Sequence, residues 1–240
     1  MTAGRDRQVL GILGGMGPLA SAEFLRTIYE CSLGYHEQKA PIVLMHSDPS
    51  FPDRTDAFLS DRSDVVLAQL IPALYGLCEA GATEIVMCCV TLHHLLPKLP
   101  NELRERIVSL LDVIYAEQAL TQKRHLLVCS SGTWRLGLFQ KHPQWRHAAE
   151  HIVIPDTDDQ KKIHEDIIYP VKRNVEIGAL APLLESLMKK YEVDSFIVGC
   201  TEVHLLAKHF MLSSGGGEQT TFDCIDPLII LAKKWAKKSV

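Results

Sequence analysis

Two cysteines stand where a thiol can do chemistry. Ile85-Val-Met-Cys-Cys-Val-Thr-Leu-His93 and Phe196-Ile-Val-Gly-Cys-Thr-Glu-Val-His204 are apolar runs that reach a cysteine, each with a histidine four residues later. A thiol between a strand end and a helix start meets the positive end of the helix. That field, with nearby cations, lowers the thiol pKa and supplies thiolate. Cys89 and Cys200 are therefore a candidate pair, one from each run, facing each other across a cleft. The plain alternative is two buried apolar thiols, since cysteine is among the most buried residue types. The matched positions favour the reactive reading. Side chains alternate along a strand, so only one of Cys88 and Cys89 is expected in the cleft. Cys31, Cys78, Cys129 and Cys224 read as packing residues. His93 and His204 read as supports for the cysteine loops rather than as bases. Cys88, Cys89, His93 and His94 lack the spacing of zinc motifs, so no metal is expected.

Two further segments bear on a ligand. Gly14-Gly15-Met16-Gly17-Pro18 follows the first apolar run. Its glycines let a ligand approach the backbone, and Pro18 suits a first helical position. Free N–H groups there favour a carboxylate or another anion. Gly15, Gly17 and Ala20 also match G-x-G-x-x-A, but no acidic residue follows at the spacing of a dinucleotide site; Asp48 lies 31 residues after Gly17. The second segment is Pro52-Asp-Arg-Thr55. A guanidinium at a strand end can hold a carboxylate bidentately, although composition alone makes Arg54 a surface residue.

The elements that must carry these residues are legible as alternation. Residues 8–13, 41–46, 84–89, 106–109, 125–129, 151–154, 194–200 and 221–225 read as short buried strands. Helical patterns occupy 61–80, 112–120 and 227–238 among others. Such alternation predicts parallel sheets covered by helices. An internal echo splits the strands into two sets: Cys89 and Cys200 are 111 positions apart, Leu13 and Cys129 116, Asp112 and Asp226 114. The expectation is two similar α/β domains, each with a four-stranded, mainly parallel sheet flanked by helices, and an active site in the cleft between them. The final helix takes the place in the second half that 112–120 holds in the first. The boundaries are therefore drawn as 1–112 plus 226–240 for one domain and 113–225 for the other. Residues 213–219, Ser-Ser-Gly-Gly-Gly-Glu-Gln, read as a flexible loop.

Composition narrows the class. Of 240 residues, 47% are apolar and 22% charged, enough to bury real cores. A net charge of −4 with no basic block argues against nucleic-acid binding. The longest stretch without Asp, Glu, Lys or Arg, 8–22, is too short to span a membrane. Residues 1–7 carry both charge signs and no apolar core, so no signal peptide is expected. Seven cysteines then suggest reduced thiols in the cytoplasm.

Together these residues resemble the aspartate/glutamate racemase family, most nearly its aspartate racemase branch, over most of the chain. Gly11-Ile-Leu-Gly-Gly-Met-Gly-Pro18 is similar to the branch's N-terminal signature, and Pro52-Asp-Arg-Thr55 to its substrate-arginine motif. Cys89-Val-Thr-Leu-His93 and Gly199-Cys-Thr-Glu202 resemble the two catalytic motifs. Ser131-Gly-Thr133 resembles the turn that opens the second half, and Lys172 falls near a lysine that binds the substrate's side-chain carboxylate. The resemblance implies racemisation without a cofactor. A thiolate takes the α-proton from one face, and a thiol on the other face returns one. It implies Cys89 and Cys200 as catalytic residues, and substrate contacts at Gly15, Met16, Arg54, Val90, Thr91, Ser131, Thr133, Lys172, Thr201 and Glu202. His93 and His204 support. Arg54 and Lys172 suit a second carboxylate, hence aspartate or glutamate.

Two departures bear on the substrate. Val90 replaces the family's usual asparagine and brings no hydrogen-bond donor. Ser47-Asp48-Pro49-Ser50 replaces the usual Asn-Asn-Pro-Gln and adds a negative charge near Arg54. The alternatives are a sister enzyme on another carboxylate, such as a racemase of another substrate or an enzyme of maleate-isomerase-like or decarboxylase-like chemistry, and a non-catalytic small-carboxylate-binding protein. A nicotinamide-dependent dehydrogenase is the weakest. The expected partner is a small amino acid or dicarboxylate. The family is often dimeric, which makes a homodimer the one macromolecular partner implied.

Overall fold

The computed structural model describes residues 8–32, 36–213 and 223–238. The first half runs β1 (Val9–Gly14), α1 (Pro18–Ser32), β2 (Ile42–Ser47), α2 (Arg54–Leu59), α3 (Ser63–Glu79), β3 (Glu84–Met87), a 3-10 helix (Val90–Lys98), α4 (Asn101–Arg104) and α5 (Leu110–Gln118). The second runs β4 (His125–Cys129), α6 (Ser131–Arg135), α7 (Trp145–Ala148), β5 (Ile152–Val153), α8 (Thr157–Lys162), a π-helical stretch (Ile163–Ile168), α9 (Tyr169–Lys172), α10 (Ile177–Lys190), β6 (Ser195–Gly199), α11 (Val203–Ser213) and β7 (Asp223–Ile225). α12 (Pro227–Lys238) closes the chain and packs on α1 and α5. The glycine-rich stretch after Ser213 and residues 1–7 lie outside the described residues.

The fold is α/β with two parallel sheets flanked by helices. Strand order is β2-β1-β3 in one and β5-β4-β6-β7 in the other. β1, β3, β4 and β6 are buried on both faces, which is why they are nearly continuous apolar runs, whereas β2 and β7 at the sheet edges are only partly covered. The period of two divides them. Leu10 and Ile12 of β1 join Leu127 and Cys129 of β4 in one shared core, with Leu228, Leu231 and Trp235 of α12. Leu13, Ile85 and Met87 face α3 through Val66, Leu70 and Leu74. Leu126, Val128, Phe196 and Val198 face α10 through Leu180, Leu184 and Met188.

The expected fourth strand of the first sheet, 106–109, does not form. Ile107 makes a single bridge to Ile85. α4 ends at Arg104, and Ser109 is already spent capping α5, accepting from the Asp112 amide at 3.1 Å. Too few residues remain between the helices for a strand to extend. Cys31 also departs from expectation: it is exposed, not packed.

All strand pairs are parallel, so the strand C-termini share one edge of each sheet. The Gly14–Gly17 turn, the loop after β2, Cys89, Ser130 and Cys200 all follow such ends. Gly15 makes the first turn possible. Its φ is +92°, and a Cβ there would lie 2.3 Å from the Asp48 carbonyl carbon. Gly15→Ala is expected to cost at least about 2 kcal/mol of stability. Gly76→Ala, in α3 with nothing near a new Cβ, is expected to gain roughly 0.5–1 kcal/mol. Urea unfolding midpoints of the two variants check this contrast.

Candidate active site

Cys89 follows β3 in extended conformation, at φ −164° and ψ 107°, ahead of the 3-10 helix. The strand ends because the Cys89 amide turns back to the Met87 carbonyl at 2.7 Å. Cys88 points the other way, into the shared core, and burial pushes its thiol up. Cys200 follows β6 ahead of α11. Each of Cys89 and Cys200 is 7% exposed.

The company of the two thiols differs in sign. The Arg54 guanidinium lies beside Cys89. Burial opposes the guanidinium's charge, but Cys89, Asp53 and Glu202 together raise its pKa. The Cys200 Sγ donates to Glu202 Oε2 at 2.9 Å. Burial, then the Glu202 carboxylate, pushes the Cys200 thiol well above its ordinary value, with Lys172 pulling the other way. The two thiols are close enough to act on one another electrostatically.

Arg54 is set at the start of α2, whose cap is Asp53; the Asp53 carboxylate accepts from the Thr55 and Asp56 amides. The guanidinium donates to the carbonyls of Met16 at 2.8 Å, Phe51 at 3.3 Å and Pro52 at 2.8 Å. An arginine has five N–H groups; those three carbonyls leave two, and Nε is buried without a hydrogen-bond partner. Backbone thus holds much of a side chain expected to clasp a carboxylate. Asp48 is spent on its own turn, accepting from the Ser50 amide at 2.8 Å.

Lys172 comes from the opposite half. Pro170 has no N–H, and its ring crowds the carbonyl four residues back. The helix widens to the π form just ahead of it and ends at α9, which carries the lysine. The Lys172 Nζ lies 3.8 Å from Asp53 Oδ2 and 3.9 Å from Glu202 Oε1. A cavity of about 230 Å³ opens between Gly15, Met16, Gly17, Pro18, Pro49, Phe51, Asp53, Arg54 and Lys172.

Hydroxyls close the other side. Thr91 Oγ1 lies 3.0 Å from Ser130 Oγ and 2.9 Å from Thr133 Oγ1, all buried. Thr201 Oγ1 donates to the Cys88 carbonyl at 3.1 Å, tying the halves together. Val90 sits in the shared apolar core, and Ser131 is half-buried beside His164, whose Nδ1 accepts its amide. The Pro52–Thr55 motif marks Arg54 without giving Asp53 or Thr55 a role, and Ser130 is not among the expected site residues. Ser130 stands three residues before Thr133, a capping pattern after an apolar run that was open to reading. Thr55 packs on Gly132 across the halves, which no local pattern announces.

The two histidines play different parts. His93 Nε2 accepts from the Leu110 amide at 2.9 Å, so Nδ1 carries the proton and donates to the Cys89 carbonyl at 3.2 Å. His204 reaches past its cysteine loop instead. Its Nδ1 meets Asp226 Oδ2 at 2.6 Å and its Nε2 meets Thr27 Oγ1 at 2.9 Å. Among the described residues, no group of three or more His, Cys, Asp or Glu is arranged to hold a metal ion. No helix among them is long and apolar enough to cross a membrane.

A family model described as Asp/Glu/Hydantoin racemase matches residues 13–234. The chain belongs to the Asp/Glu/hydantoin racemase family. The family is named for racemases, a class of isomerase. The aspartate racemase of Picrophilus torridus is 23% identical with a TM-score of 0.78, covering 97% of this chain and 94% of that one. The glutamate racemase of Campylobacter jejuni is 17% identical, TM-score 0.58, covering 96% and 86%. The allantoin racemase of Klebsiella pneumoniae is 11% identical, TM-score 0.56, covering 96% and 86%. At these identities the likeness shows the two-sheet racemase fold.

The His93 bonds have a pH signature. Burial lowers its pKa from 6.5 to about 4. Between those values the unfolded chain binds a proton that the folded protein does not, so the His93 contribution to stability is lost as pH falls through that window. The difference amounts to about 2 kcal/mol at pH 5. His93→Gln should therefore lose less stability than the wild type between pH 7 and pH 5. Equal losses in urea melts at the two pH values would count against a neutral His93.

Proposed function

We propose that this protein is an amino-acid racemase that uses Cys89 and Cys200 as opposed acid and base, without pyridoxal phosphate, on an acidic amino acid. Aspartate is the first candidate and glutamate the second. The observation that carries the reading is the opposite company of two equivalent cysteines. The Arg54 guanidinium lies beside Cys89, while the Glu202 carboxylate accepts from Cys200 and holds the proton on that thiol. Inversion needs that arrangement, a base on one face of the α-carbon and an acid on the other. The Cys89 thiolate takes the α-proton and becomes a thiol. The Cys200 S–H gives its proton to the opposite face and becomes a thiolate. The reverse reaction exchanges the roles.

Backbone N–H groups at the Gly14–Gly17 turn suit the α-carboxylate, where charge builds as the α-proton leaves. Lys172, held loosely between two carboxylates, suits the side-chain carboxylate. The aspartate racemase-like signature and the Picrophilus aspartate racemase neighbour support aspartate. The division into 1–112 plus 226–240 and 113–225 belongs to the same reading, supported by the packing of α12 on α1. We place the protein in the cytoplasm, a reading supported by seven cysteines that form no disulfide.

Proton NMR of L-aspartate and L-glutamate in D2O, with reduced protein and no added cofactor, tests the reading. The expected result is loss of the α-proton signal with the D-enantiomer appearing. Cys89→Ala and Cys200→Ala should each lower racemisation by about 10²–10⁴-fold. No exchange with either amino acid by a folded, reduced sample would sink the assignment.

A further inference from the structure

Glu202 is 2% exposed. Its Oε2 takes the Cys200 S–H at 2.9 Å and lies 3.5 Å from the Thr201 hydroxyl. Its Oε1 is buried and accepts no hydrogen bond. The Lys172 Nζ, at 3.9 Å, is too far to donate to it. The oxygen is aimed at the Gly14–Gly17 turn, where a Cβ on Gly17 would lie 3.0 Å away. A buried carboxylate oxygen without a donor is costly, and a ligand that brings a donor recovers that cost.

The position of this oxygen says which donor. The racemase reading places the α-carbon within reach of Cys200, and this inference rests on that reading. A carboxylate bonded to that thiol through one oxygen offers its other oxygen close to the same carbon. The α-nitrogen is attached directly to that carbon. An ammonium there would form a charge-assisted hydrogen bond with Oε1. Val90, the neighbour of Cys89, lies in apolar surroundings and has no acceptor to compete.

We propose that Glu202 Oε1 receives the substrate's α-ammonium, so that this site takes free amino acids and rejects hydantoins and N-acylated amino acids. The family it belongs to spans both kinds of substrate. A hydantoin or an N-acyl group carries a neutral amide N–H, which can donate to Oε1 but brings no positive charge to the buried carboxylate. The carboxylate has a second effect. Its charge holds the proton on Cys200, and an arriving ammonium offsets that charge. The thiol therefore becomes a better proton donor when a correct substrate is present. Glu202 both reads the amino group and links its arrival to the acid.

Calorimetric titration with DL-aspartate, succinate and N-acetyl-DL-aspartate tests this on the wild type, Glu202→Gln and Glu202→Asp. Succinate keeps both carboxylates and lacks the ammonium. The wild type is expected to bind aspartate about 10- to 100-fold more tightly than succinate or the N-acetyl compound. That preference should fall to near parity in Glu202→Gln and survive in part in Glu202→Asp. Iodoacetamide should alkylate Cys200 faster in Glu202→Gln, because the thiol loses its carboxylate neighbour. Preference unchanged in folded Glu202→Gln overturns the proposal. If that variant does not fold, the wild-type series decides alone, and succinate binding as tightly as aspartate overturns it. Proton exchange in D2O keeps the two readings apart. A wild type that racemises aspartate but ignores the ammonium fails only this inference. One that prefers the ammonium but exchanges no α-proton fails the racemase reading.

Discussion

The inner strands of both sheets are buried on both faces, and that constraint governs where polar chemistry can go. An interior strand position has every backbone group paired and apolar neighbours above and below. A polar side chain there needs a partner of its own, as His125 and Ser195 are for each other at 2.7 Å. The first place where the chain escapes is within two residues of a strand's end. Cys89, Ser130, Cys200 and the Gly14–Gly17 turn are all such residues. Because the strands run parallel, these escapes gather on one edge of each sheet. The shared core of Leu10, Ile12, Leu127 and Trp235 then holds the two halves together.

Within that edge, charge is arranged in alternation. Arg54 and Lys172 are the cations, Asp53 and Glu202 the anions, and they come from both halves. Neither thiol could be given its character by its own strand. Cys89 and Cys200 occupy equivalent strand ends, yet one meets a guanidinium and the other a carboxylate. The asymmetry comes from what the loops bring: Arg54 pinned by three backbone carbonyls, Glu202 two residues past its own cysteine. Similar scaffolds with different loop residues produce two unlike groups from one repeated motif.

Much of this was legible in the sequence, and the reasons are local. Seven of the eight expected strands form, because apolar runs of four to seven residues between polar helices have few other ways to bury both faces. The run 106–109 failed because helix signals on either side left it no length. The placement of Cys89 and Cys200 just past equivalent strands was legible through their repeated context. What stayed hidden depended on long-range pairing. Arg54 reads as a carboxylate clasp until Met16, Phe51 and Pro52 are seen to take its N–H groups. His204 reads as a support for Cys200 until Asp226 and Thr27 are seen on its two nitrogens.

The last helix has a consequence for how the molecule is made. α12 supplies Leu228, Leu231 and Trp235 to a core whose other walls include α1 and β1. On the ribosome, β1 and α1 emerge first, and their apolar faces wait for a partner more than two hundred residues away. The second half, whose strands are contiguous in sequence, can assemble in the meantime. The half begun first is thus sealed last, and its exposed apolar faces are the point at which a nascent chain would need protection from aggregation.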